Sequence, residues 1–199
     1  SYTGSVEEFY KKFAQILQQT GDNKSSTYYL EKSLDQHQLQ NTVRPTIVEE
    51  YKKIGSLYDE TGDVQRAVLC FRKAIEAERL LDQPNDAAAL DALRMLGDIF
   101  YKQSEKEFSK PYLQEANSLY EQALTRTNLA QGANSLTAAK LLYDIAKVNH
   151  SLMQLDKSFH YCQRSVEVLN ENNEKSNSEF AHCSSIMGTD FLHKSKDDQ

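Results

Sequence analysis

The sequence predicts an all-α protein, an α-solenoid in which antiparallel helix pairs stack one on the next. Three observations carry this. Only 7 Gly and 3 Pro punctuate 199 residues, too few for the frequent turns of an all-β chain. Apolar residues recur at helical spacing in long runs, as a buried helix face requires. A small residue flanked by large apolar ones returns at Ala14, Gly55, Gly97, Ala146 and Gly188, in steps of 41, 42, 49 and 42 residues. Self-similarity at such a period is the mark of a repeat architecture.

The first repeat begins with a helix over 5–20. Ser5-Val6-Glu7-Glu8 is a capping box before the apolar run, since the Ser and Glu side chains satisfy each other's backbone N–H groups. Tyr10, Phe13 and Leu17 surround the anchor Ala14, and Gly21 supplies a turn. A second helix over 23–38 carries Ser26, Leu30 and Ser33 on its inner side. The next repeat opens on a second capping box, Thr46-Ile47-Val48-Glu49, and a helix over 46–60. Here Tyr51, Ile54 and Tyr58 frame Gly55, Gly62 turns the chain, and Ala67, Phe71 and Ala74 line a helix over 64–82. Glycine at the anchor lets two helices approach closely, and at the turn it admits a left-handed backbone.

Helices over 86–104 and 110–128 make the third repeat, with Leu93, Leu96, Gly97 and Phe100 facing Ala116, Tyr120 and Ala123. The 49-residue step leaves seven extra residues, placed near 103–109 within "YKQSEKEFSKPY". Either the first helix runs on for two more turns or the connection is longer; Pro111 favours a fresh helix start. Helices over 134–152 and 155–171 make the fourth repeat, with Leu142, Ile145 and Ala146 against Ser158, Cys162 and Ser165. The polar stretch at 172–177, "NNEKSN", reads as a solvated loop. A helix over 178–194 carries Met187, Gly188 and Phe191, and the chain is expected to stop inside this fifth repeat.

From Tyr51 to Ala74 the residues follow the order W-x2-L-G-x2-Y…A-x3-F with Tyr51 in the Trp place. This resembles a tetratricopeptide repeat. The usual period is about 34 residues; steps near 42 resemble the longer repeats of kinesin light chain. "NTVRPTIVEE" and "LDQPNDAAAL" agree, each placing a Pro shortly before the first helix of a repeat. The resemblance implies a right-handed superhelix and one array across residues 1–199. Its repeats fall near 7–40, 48–81, 90–130 and 139–172, with a partial copy at 181–199.

Composition narrows the function. A net charge of −6 argues against nucleic acid, which rewards clustered positive charge. No apolar run approaches the roughly 20 residues that cross a bilayer, and "SYTGSVEEFY" lacks a signal-peptide layout. Three well-separated cysteines, Cys70, Cys162 and Cys183, read as reduced thiols of a cytoplasmic chain. Two matches to the glycosylation pattern, at Asn23 and Asn149, are discounted as common by chance.

No phosphate loop, dinucleotide fingerprint, HExxH or CxxC is present. His160 and Cys162, and likewise His182 and Cys183, are too close in sequence to share a helix face, so neither pair chelates a metal alone. Cys162 and Cys70 read as core thiols. No catalytic residue, metal or cofactor is expected, and the chain reads as a non-enzymatic scaffold or adaptor.

A protein or peptide partner is the implied ligand. The resemblance places it on the concave face, formed by first-helix residues that do not pack inward. These are Lys11, Gln15 and Gln18 in the first repeat, and Lys52, Ser56 and Asp59 in the second. Arg94, Asp98 and Tyr101 follow in the third, and Tyr143, Lys147 and His150 in the fourth. Gln15, Gln18 and Ser56 suit a peptide backbone, and the two Tyr suit amphipathic contact. Lys52 and Arg94 suit an acidic motif, Asp59 and Asp98 a basic one. Two departures limit the resemblance. Gln15 and Lys53 stand where carboxylate-clamping relatives carry Asn, and Lys12, Lys53, Met95 and Asp144 where kinesin light chain lines its groove with Asn. Rival expectations are self-association through the open C-terminal repeat, and a regulatory role within a larger protein.

Overall fold

The computed structural model describes residues 6–38, 46–80, 86–174 and 178–197. Among them are nine helices and no strand: α1 (Val6–Gln19), α2 (Asn23–Gln38), α3 (Thr46–Glu60), α4 (Val64–Arg79), α5 (Asp86–Glu107), α6 (Lys110–Gln131), α7 (Leu136–Ser151), α8 (Leu155–Glu171) and α9 (Ser178–Asp197). Each helix expected from the sequence is present, with ends moved by at most three residues. Ser5 of the first capping box, both prolines ahead of α3 and α5, and the second half of the loop expected at 172–177 lie outside the described residues. Thr46 of the second box is the first residue of α3.

Local chemistry sets the helix ends. Asp63 accepts the N–H of Arg66 at the start of α4, and Ser135 accepts that of Ala138 at the start of α7. At the far ends, Gly21 and Gly62 adopt φ of 83° and 80°. Each is followed by an N–H that reaches back five residues, Asp22 to Leu17 and Asp63 to Tyr58. This left-handed C-terminal cap satisfies carbonyls that the helix leaves open. The third and fourth hairpins use the same cap with Phe108 (φ 49°) and Met153 (φ 59°) in the glycine's place.

The described chain divides into two compact bodies, Ser1–Ala92 and Leu93–Gln199. In the first, α1 packs on α2, α3 on α4, and α2 on α3. Ala14, Ile47, Tyr51, Ile54, Tyr58, Ala67, Phe71 and Ala74 are all buried there. The Phe71 ring lies 3.0 Å from where a Gly55 Cβ would stand. A polar seam joins α2 to α3 and α4. Lys73 bridges Asp35 at 2.7 Å and Glu31 at 3.4 Å, and the hydroxyls of Tyr51 and Tyr58 donate to the same two carboxylates.

In the second body α7 packs on α6, α8 and α9, and α8 on α9. Tyr120 of α6 covers Gly97 of α5 at 2.6 Å from the missing Cβ. Ala146 clusters with Cys162 and Cys183. Small second-helix residues also bond across hairpins: Ser26 donates to the Ala14 carbonyl, Ser33 to that of Glu7, and Ser165 to that of Ala139.

The seven extra residues of the third repeat are shared between its helices. Helix α5 ends ten residues past Gly97, whereas α3 ends five past Gly55, and α6 starts six before Ala116, whereas α4 starts three before Ala67. The result is a hairpin longer by about one turn on each arm, not a long loop. Gly188 differs from its counterparts. Nothing lies within 4 Å of its Cβ position, and Phe191 and Leu192 are exposed nearby.

Candidate functional site

The first helices of the N-terminal body hold six of the twelve predicted residues. Lys11 bridges Glu7 at 2.9 Å. Lys52 is held more firmly, by Glu49 at 2.9 Å and Asp91 at 3.1 Å. Partial burial works against its charge, yet the two carboxylates raise its pKa overall. Ser56 donates its hydroxyl to the Lys52 carbonyl, a bond within the helix. Gln15 and Gln18 are exposed, and Asp59 lies half-buried on α3. Lys11 and Gln15 form one wall of an apolar slot of about 290 Å³. Leu30 and Leu34 of α2 and Ile54, Leu57, Glu50 and Lys53 of α3 complete it. Lys53 and Leu57 were not among the predicted face residues.

A tighter cluster forms in the C-terminal body. The Arg94 guanidinium reaches Asp98 at 3.3 Å, and the Tyr120 hydroxyl donates to the same carboxylate at 2.6 Å. The Lys147 ammonium lies 4.6 Å from the ring centre of Tyr101 and 5.4 Å from that of Tyr143, inside the range where a cation is drawn to an aromatic face. It also bonds Asp144 at 3.2 Å. Burial pushes the Asp144 carboxyl above its ordinary range, with Asp98 adding to the effect against the pull of Lys147. Lys147 itself is raised: burial opposes its charge, but Asp144 outweighs it. Asp144 Oδ2 is buried with no hydrogen-bond partner among the described residues, a costly state for a carboxylate oxygen.

Arg94, Asp98 and Tyr101 of α5 and Tyr143 and Lys147 of α7 therefore lie close together. His150 belongs to a second arrangement. Its Nδ1 lies 2.6 Å from Oδ1 of Asp190 on α9, whose Oδ2 is buried without a partner among the described residues. Sequence reasoning missed Asp144 as a site residue and Asp190 altogether. Asp190 left a readable signal: two residues past the anchor, earlier repeats place the aliphatic side chains of Ile99 and Val148, both buried. A carboxylate at that register marks a special contact.

These groups offer charge, hydrogen bonds and aromatic contact. Among the described residues no three His, Cys, Asp or Glu gather as a metal site. Burial, helped by Glu31, pushes the Cys70 thiol up to about 12, far from the thiolate that a nucleophile needs. Cys162 is raised by its hydrogen bond with Cys183 and by burial. Among the described residues no helix is long and apolar enough to cross a membrane.

Residues 51–79 match the tetratricopeptide repeat family. No curated protein sequence matches the chain significantly. Solved structures of similar fold include BtubC (BKLC) from P. vanneervenii, at 14% identity and a TM-score of 0.63, covering 96% of this chain and 68% of that one. A putative kinesin light chain from Podosopora anserina, with nearly identical TPR-like repeats, aligns in a single-substitution form at 13% identity and a TM-score of 0.67, over 95% and 86% of the two chains. The quorum sensor NprR from B. thuringiensis, in its apo form, aligns at 17% identity and 0.57, over 96% of this chain and 48% of that one. Residues 51–79 thus carry a tetratricopeptide repeat, and in fold the chain resembles structures of the kinesin light chain type.

Proposed function

We propose that the chain is a non-catalytic interaction scaffold, that residues 1–199 form one array of four repeats and a partial fifth, and that its first-helix faces bind a peptide segment of a partner protein. The observation that carries the reading is the Lys147 cluster. Two tyrosine rings and a cation lie together on the first helices α5 and α7, Tyr143 also packing against the Ala146–Cys162–Cys183 core, with the buried Asp144 carboxylate bonded to Lys147 beneath them. Such a surface takes an extended chain through backbone N–H donors and aromatic contact. A cytoplasmic setting accords with three buried free thiols.

The reading is tested by selecting binders from a random-peptide display library on the whole chain and measuring them by fluorescence anisotropy. Lys147→Glu is expected to weaken first-helix binders by about tenfold or more, the scale of a hot-spot loss. Glu121→Lys, on the exposed side of α6, is expected to leave them unchanged. Peptides that bind Lys147→Glu and Tyr143→Ala as tightly as the parent chain would overturn the assignment.

A further inference from the structure

Two of the chain's three cysteines meet where α8 packs on α9. Cys162 and Cys183 lie 21 positions apart in sequence, are both fully buried and share one cluster with Ala146. Cys162 stands at a place that other repeats fill with a ring. Four residues after Ala67 and Ala116, Phe71 and Tyr120 close over Gly55 and Gly97. Four residues after Ser158 the fourth repeat has Cys162 instead, and a second thiol, from α9, packs against it. A small apolar residue fills such a place as well as a thiol does. Packing alone calls for no second cysteine opposite.

The two thiols hydrogen-bond to each other. That bond lowers the pKa of Cys183, against the cost of burial, and raises that of Cys162. Cys183 is therefore the thiol that ionises and reacts first. Cys70 is the contrast within the same chain. It is buried in the N-terminal body, where the sequence supplies no other cysteine.

We propose that Cys162 and Cys183 form a reversible disulfide on exposure to a peroxide, tying α9 to α8. The Cys183 thiolate attacks one peroxide oxygen and the O–O bond breaks. Hydroxide leaves and takes up the proton that the thiol gave away, and Cys183 becomes a sulfenic acid. The Cys162 sulfur then attacks the Cys183 sulfur. Its proton departs with the hydroxyl as water, and the S–S bond closes. Two thiols lose two electrons, and one peroxide becomes two waters. Helix α9 packs on α7 and α8, while its Phe191 and Leu192 stay exposed. A helix held along one face opens locally at lower cost than the rest of the core, which admits a molecule as small as hydrogen peroxide. Closure then favours the docked helix, because the link restricts the opened chain. Helix α9 also carries His182, stacked on Tyr143, and Asp190, bonded to His150, so the link fixes those two side chains against α7.

The test treats the reduced whole chain with hydrogen peroxide under native conditions and then blocks free thiols with iodoacetamide. Mass mapping without reduction is expected to join the peptides that hold Cys162 and Cys183 and to find Cys70 alkylated. Dithiothreitol should undo the link. Amide hydrogen exchange in α9 should slow by about tenfold or more in the linked form. Cys162→Ala should leave Cys183 as a sulfenic acid that dimedone captures, and Cys70→Ala should keep the link. A folded parent chain in which both thiols stay alkylatable, or are oxidised without joining, overturns the proposal. The parent chain is read directly, so no variant has to fold for that result to count. A link that leaves exchange in α9 unchanged overturns the tying of α9 to α8.

Discussion

At Gly97 one missing methyl decides how closely α5 and α6 lie. A Cβ there would stand 2.6 Å from the Tyr120 ring, which is itself fully buried and bonded to Asp98. The ring has nowhere to go, so Gly97→Ala is expected to destabilise by about 1–3 kcal/mol, the range for overpacking a core. Gly55→Ala meets Phe71 at 3.0 Å and should cost less. Gly188→Ala meets nothing within 4 Å and should stabilise by about 0.5–1 kcal/mol, because alanine suits a helix interior better. Urea unfolding of the three variants checks the order. The anchors were legible in the sequence because small residues at a fixed period have few other uses. What each anchor touches was not, since that depends on which helix lies opposite.

Among elements, the hairpins divide by their turns. Gly21 and Gly62 accept left-handed backbone without a Cβ clash, while Met153 does not. Met153→Gly is expected to raise stability by about 1 kcal/mol, the strain relieved less the extra freedom given to the unfolded chain. A higher urea midpoint with an unchanged slope would show it; a lower midpoint would mean that the Met side chain packs after all. The pairing of α3 with α4 gives a second expectation. Phe71→Ala opens a cavity against Gly55 and should cost about 3–5 kcal/mol. In a repeat chain each repeat contacts only its neighbouring repeats, so hydrogen exchange should rise most in α3 and α4 and least in α8 and α9. Helix positions were readable to within three residues. The split of the seven extra residues was not, because either a loop or two longer arms satisfies the same spacing.

For the molecule as a whole, the local chemistry of 199 residues sufficed for the class of fold and for which positions face inward. Periodicity, small anchors and turn residues act over one or two helical turns, so they are written in adjacent letters. The places of Arg94, Asp98 and Tyr101 on one first helix and of Tyr143 and Lys147 on the next were legible for the same reason, since they follow from register alone. Their chemistry was decided in three dimensions. Only packing could show that Lys52 already serves Glu49 and Asp91, and that Lys147 stands over Tyr101 and Tyr143 rather than free in solvent. The same holds for Asp144 and Asp190, each left with a buried oxygen unpaired among the described residues. Burial and charge pairing depend on residues 39 to 50 positions apart, such as Lys52 with Asp91 or Tyr101 with Ser151. Sequence spacing orders side chains around one helix, and the identity of the neighbouring helix sets what each of them meets.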